Sequence, residues 1–117
     1  MSAFKITLPI PLLAIGPNGR VHWAKKSMLV KRHRALAWGM VRMNASLRDI
    51  KPTGYSLAFY FRTNRRRDDD NAEACCKAYR DGIAEALNMD DHDLPKAGLS
   101  TFAVDAKNPR LEITLHL

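Results

Sequence analysis

Cysteine is nearly absent from this chain: there are two, Cys75 and Cys76, and they are neighbours. Adjacent cysteines in a helix cannot easily bridge each other, and no spaced partners complete a zinc pattern. A disulfide framework and a zinc finger are therefore excluded, and both thiols are expected to be reduced core residues. Long apolar runs are missing too. No stretch approaches the ~20 residues needed to span a bilayer, and the N-terminus lacks the charged, apolar and small-residue regions of a secretory signal, so a cytosolic protein is expected, with no membrane partner. Repeats and low-complexity segments are also lacking, and the Pro/Gly clusters are too short to be interdomain linkers. Residues 1–117 are thus expected to form one domain around a single core. So small a domain leaves much of its surface exposed, which makes an interface with a second copy natural.

What is abundant is positive charge. Nineteen Lys and Arg against twelve Asp and Glu leave a formal net charge of +7. Such an excess predicts a polyanionic partner, because Lys and Arg that neutralise phosphates gain affinity by releasing counterions.

Hydrophobic periodicity supplies the elements. Phe4, Ile6 and Leu8 alternate with Lys5 and Thr7 as in a half-buried strand, which Pro9 and Pro11 end. The segment from Leu12 to Arg20, with its Gly-Pro-Asn-Gly run, reads as a loop. From about His22 to Leu47, the residues Leu29, Leu36, Met40, Met43 and Leu47 recur at helical spacing as one apolar stripe. Arg20, Lys25, Lys26, Lys31, Arg32 and Arg34 concentrate charge at one end of that helix. A second strand follows, with Tyr55, Leu57, Phe59 and Phe61 on one face. Ala72, Cys75/Cys76, Tyr79, Ile83 and Ala86/Leu87 then mark a second helix from about Asp70 to Leu87. Two more strands are expected, around Ser100 to Val104 and through Leu111, Ile113, Leu115 and Leu117. The order β-α-β-α-β-β predicts an α+β fold, a four-stranded mixed sheet with two helices packed on one face.

The chemistry lies where Arg65, Arg66 and Arg67 run directly into Asp68, Asp69 and Asp70, at a loop-helix junction. Crowding three carboxylates is costly unless a cation sits among them, and a hard ion such as Mg²⁺ takes a few carboxylate oxygens while keeping waters. A simpler role is open as well: one of these aspartates caps the helix and complements its dipole, a role that needs a single acid. Asp69 in particular is expected to face away from Asp68 and Asp70. Lys77 comes seven residues, close to two helical turns, after Asp70, and projects from nearly the same side toward a phosphate near the metal. It is also placed for an ordinary i,i+4 pair with Asp81. Asp90, Asp91 and Asp93 follow the helix closely enough to fold back and supply a third carboxylate. They form no EF-hand, since the required glycine and the twelfth-position glutamate are missing. His92 between them reads as an exposed loop residue and not as a ligand for a hard metal.

These residues resemble a known family. Arg-Asp-x-Asp-Asn at Arg67 to Asn71, a helical Lys-x-x-x-Asp-Gly at Lys77 to Gly82, and the Asp90-Asp91 pair together look like the RusA family of Holliday junction resolvases. The basic segment from Asn18 to Trp23 is similar to the N-terminal region of many members, so the likeness covers most of the chain. It implies a homodimer that binds four-way, branched DNA junctions and, with Mg²⁺ (or Mn²⁺ in its place), cuts two opposing strands symmetrically in recombination and repair. It also implies Asp68, Asp70 and Asp91 as metal ligands and Lys77 as the family's helical lysine, and carries no role to Asp69. Such carboxylates would activate a water for in-line attack while Lys77 neutralises developing charge on the phosphate. Arg20, Lys25, Lys26, Arg32, Arg65, Arg66 and Arg67 would hold the DNA backbone without reading sequence.

A non-catalytic basic DNA-binding protein is the rival reading, with the acidic cluster as a cap or regulatory patch. A diphosphate site like that of isoprenoid synthases needs two such motifs on a large helical bundle, for which the chain has neither length nor helix content.

Overall fold

A computed structural model describes residues 3–12, 15–16, 21–47, 49–64 and 69–117. Its strands are β1 (Ala3–Leu8), β2 (Gly54–Phe61), β3 (Thr101–Val104) and β4 (Arg110–His116), and its helices α1 (Trp23–Arg42), α2 (Asp69–Ala74) and α3 (Lys77–Ala86). The strands form one four-stranded mixed sheet in the order β1-β4-β2-β3. β4 is antiparallel to both β1 and β2, while β3 runs parallel to β2. The fold is α+β, as the element order predicts.

The strand alternation falls as expected. Ile6, Leu8, Tyr55, Leu57, Phe59, Phe61, Leu111, Ile113 and Leu115 are buried and share one core with Ala37, Val41, Tyr79 and Ile83 of the helices. The polar alternates remain on the other face, where Arg110 covers the Tyr60 ring at 4.0 Å. There it also bonds Asp105 at 2.8 Å and Glu112 at 3.0 Å. β3 sits at the sheet edge with every residue exposed, and Phe102 stacks on Phe59 with ring centroids 5.1 Å apart.

Helix α1 differs from its predicted form in length and in facing. It starts at Trp23, where the His22 ring accepts the Ala24 amide, and ends at Arg42. Leu47 belongs to a separate 3-10 turn, Ala45–Leu47. The buried face is Leu29, His33, Ala37 and Val41. Leu36, Met40 and Met43 stand in solvent, Met43 at 85% exposure. The largest apolar residues therefore do not mark the inner face. Ala37 is fully buried on that face, and α3 approaches α1 closely: a Cβ on Gly82 would overlap the Arg34 backbone.

The second helix keeps its predicted face and loses its continuity. Ala72, Cys76, Tyr79, Ile83, Ala86 and Leu87 are all buried in the main core. At Cys75–Cys76 the helix breaks into α2 and α3, with the Cys76 amide bonding back three residues to Glu73 at 3.0 Å. Neighbouring residues point about 100° apart on a helix, and here Cys75 packs with Ile15, Leu29 and Ala78 while Cys76 enters the main core. Both thiols are buried and neither is in a disulfide, and burial raises both above the usual thiol range. Asp70 and Lys77 consequently lie on two helical segments and not on the one continuous helix expected of them.

His33 ties the loop after β1 to α1. Its Nδ1 is 2.7 Å from the Leu29 carbonyl, and its Nε2 accepts the Leu12 amide at 3.2 Å. The Tyr79 hydroxyl donates to the Pro9 carbonyl at 2.8 Å, closing the same corner from α3.

Candidate functional site

The way α3 ends decides where the second acidic group goes. Asn88 adopts a left-handed φ of 56°, its amide bonds the Glu85 carbonyl at 3.1 Å, and the Met89 amide bonds Ala84 at 2.9 Å. These two bonds are those of a Schellman motif, in which asparagine tolerates the left-handed position. Lys51 adds its ammonium to the same end, 2.8 Å from the Leu87 carbonyl, where the helix dipole favours a cation. The chain reverses and enters a 3-10 turn, Asp91–Asp93, capped by Asp90, whose Oδ1 accepts the His92 amide at 3.0 Å. That bond, first of several, holds the Asp90 carboxyl below its ordinary value.

The returning segment runs back along the helices. Asp91 reaches Arg80, with Nη2 to Oδ2 at 3.3 Å, and fully buried Leu94 anchors the turn in the core. Pro95 and Ala97 exchange backbone hydrogen bonds with Tyr55, at 3.0 and 2.6 Å, so this stretch lies beside the start of β2. Lys96 then meets Glu73 of α2 at 3.2 Å. Asp91 is thus level with the middle of α3, and Lys96 is the residue that reaches α2.

Among the described residues, the ligand atoms of Asp90, Asp91 and His92 all lie within 4.8 Å of one another. Opposite donors around one Mg²⁺ are roughly 4.2 Å apart, given ~2.1 Å to each, so the two carboxylates need only small side-chain rotations to share a cation. Their oxygens suit a hard ion, whereas the His92 nitrogen does not. Asp70 stands exposed in the first turn of α2, outside that group, and Asp69 is already helical beside it. Asp68, Arg65, Arg66, Arg67 and Arg20 lie outside the described residues. Asn71, next in the motif, is buried, and Gly16 packs so tightly on it that a Cβ there would overlap its Oδ1.

Asp90 and Asp91 open on a cleft of about 500 Å³ that Arg34, Asp81, Glu85 and Met89 also line. A second cleft, of about 360 Å³, lies between α1 and the break at Cys75–Cys76, with Lys26, Lys77 and Ala74 in its walls. Asp81 lines both. Its Oδ2 takes the Lys77 ammonium at 2.8 Å, the i,i+4 pair anticipated from the spacing. Of the basic residues singled out in α1, Lys25 and Arg32 are exposed. Lys26 turns inward to the Gly16 carbonyl at 3.2 Å.

Arg80 was not foreseen as part of the site. Only a cap-and-reverse turn at Asn88 brings Asp91, eleven residues later, onto its guanidinium, and no local spacing rule reports such a contact.

No family model matches the chain. It is 42% identical over 90 residues to a protein of Xylella fastidiosa (strain Temecula1 / ATCC 700964) described as "Uncharacterized protein", a match that covers 74% of this chain and 59% of the relative. The chain spans less than two thirds of that relative's length.

Proposed function

We propose that this protein is a Mg²⁺-dependent, structure-selective endodeoxyribonuclease of the RusA type, which cuts branched DNA at four-way junctions. The observation that carries the reading is the pair of adjoining clefts bridged by Asp81, one lined by Asp90 and Asp91 and the other by Lys26 and Lys77. A carboxylate-lined cleft suits a hard cation, and a lysine-lined one beside it suits a phosphate.

In this reading Asp68, Asp70 in the first turn of α2 and Asp91 on the returning turn hold one or two Mg²⁺ ions, with Mn²⁺ as a substitute. When bound, the metal supplies an activated water and offsets charge on the phosphodiester. Lys77 leaves Asp81 to donate to a non-bridging phosphate oxygen, stabilising charge as it develops. Lys25, Lys26 and Arg32 of α1, with Arg20 and Arg65 to Arg67, grip the backbone through charge. A homodimer acting in the cytoplasm provides two such sites for paired cuts in opposing strands.

The test is a synthetic four-way junction incubated with the protein. Nicking that requires Mg²⁺ or Mn²⁺ supports the proposal. Tight junction binding with no cutting in either metal replaces it with the non-catalytic DNA-binding protein.

A further inference from the structure

Arg80 is wedged between Tyr55 of β2 and two carboxylates, and its side chain is only 25% exposed. Nη2 lies 3.3 Å from Asp91 Oδ2 and 3.7 Å from Asp81 Oδ1. The second separation is too long for a hydrogen bond. Among the described residues, Arg80 Nε and Asp81 Oδ1 are both buried without a hydrogen-bond partner. One guanidinium is therefore shared between two acids, bonded to one and poised beside the other. Burial raises the Tyr55 hydroxyl above its usual value, against the opposing pull of Arg80.

A cation that takes Asp91 meets this charge at close range. Arginine cannot relieve the repulsion by losing its proton, and a buried guanidinium deprived of its carboxylate is strongly disfavoured. A second acceptor, Asp81 Oδ1, already waits within a few tenths of an ångström of bonding distance. Once Asp81 is engaged by Arg80, its negative charge is partly offset and its hold on Lys77 through Oδ2 weakens.

We propose that Arg80 is a positioning residue that guards Asp91: it holds the Asp91 carboxylate until a divalent cation binds, then passes to Asp81 and loosens Lys77. The proposal rests on the metal-dependent reading above and assigns that site a built-in competitor. It makes metal affinity a property of the Arg80, Asp81 and Asp91 set.

The experiment is Mn²⁺ titration of the full chain without DNA, followed by calorimetry and by the paramagnetic resonance of free Mn²⁺. Thermal melts of each variant monitor folding. Arg80→Gln, which removes the competing charge, should bind Mn²⁺ roughly tenfold tighter than the wild type, an amount set by one partly solvated charge. Asp81→Asn removes the negative charge of the acceptor to which Arg80 moves and should bind roughly tenfold more weakly. Arg80→Lys keeps the charge and should stay close to the wild type. Unchanged or weaker binding by a folded Arg80→Gln overturns the proposal. Should Arg80→Gln fail to fold, Asp81→Asn decides, and wild-type affinity in that variant overturns it equally. A wild type that takes up no Mn²⁺ removes the metal-dependent reading and this inference together, whereas a wild type that binds while the variants match it removes the inference alone.

Discussion

Gly82 of α3 lies directly against the Arg34 carbonyl of α1, with no room for even a methyl group between the two backbones. The glycine of the Lys-x-x-x-Asp-Gly motif is thus a packing residue that sets the helix crossing. Intrinsic helix propensity alone favours Gly82→Ala by up to ~1 kcal/mol. The overlap is with main-chain atoms, which cannot rotate aside, so the substitution should instead destabilise by about 1–3 kcal/mol. Urea unfolding checks the sign, and a stabilised variant would refute the close crossing.

Asp70→Asn and Asp91→Asn each remove an anionic oxygen ligand while keeping side-chain shape. Both should abolish Mg²⁺-dependent nicking yet leave junction binding intact and steeply salt-dependent, because affinity resides in the basic surface. Gel-shift and cleavage assays on the same preparations separate the two effects. Loss of binding along with cutting would point to a folding defect.

Lys77 is largely exposed, and its pair with Asp81 is an ordinary surface contact. Lys77→Met should change stability by no more than about 0.5 kcal/mol, the usual worth of such a pair. Cleavage at saturating Mg²⁺ should nevertheless fall by ~10²-fold if Lys77 serves the phosphate. A variant that cuts normally would leave Lys77 as surface charge.

Arg110 links Asp105 and Glu112 and holds both carboxyls below their ordinary values of 3.8 and 4.5, chiefly through its hydrogen bonds to them. A depressed carboxylate stabilises the fold above its unfolded value and loses that contribution as pH falls through the folded one. Arg110→Gln should therefore melt below the wild type at pH 7, and the gap should close on acidification from about pH 5 toward pH 2. Melting curves across that range test it. A gap that widens in acid would contradict the assignment.

His33 bonds Leu12 and Leu29 at once. Truncation by His33→Ala strands the Leu12 amide and opens a void beside Tyr79, whose ring centre is 5.2 Å away. A loss of about 1–3 kcal/mol is expected, measurable by denaturant unfolding.

The strands could be read from the sequence because their burial rule is local: every second residue faces the core, and Ile6, Leu57, Phe59, Leu111 and Ile113 obey it. The inner face of the second helix was legible for the same reason. Helix α1 misled because apolar character does not mark its inner face: Leu36, Met40 and Met43 are exposed while His33 and Ala37 are buried. Close backbone approach selected Ala37 on one helix and Gly82 on the other, and hydrophobicity does not encode that requirement.

For the candidate site, the sequence by itself determined which groups are available: the carboxylates at Asp68, Asp70, Asp90 and Asp91, the Lys77–Asp81 pair set by helical spacing, and the excess of positive charge. Only the tertiary structure decided which of them meet. The left-handed turn at Asn88 and the anchoring of Leu94 send Asp91 back onto Arg80 and Lys96 onto Glu73. The break at Cys75–Cys76 puts Asp70 and Lys77 on different helical segments. Contacts within one turn follow from backbone geometry, but contacts across a chain reversal depend on how the whole core packs, and no short stretch of sequence holds that information.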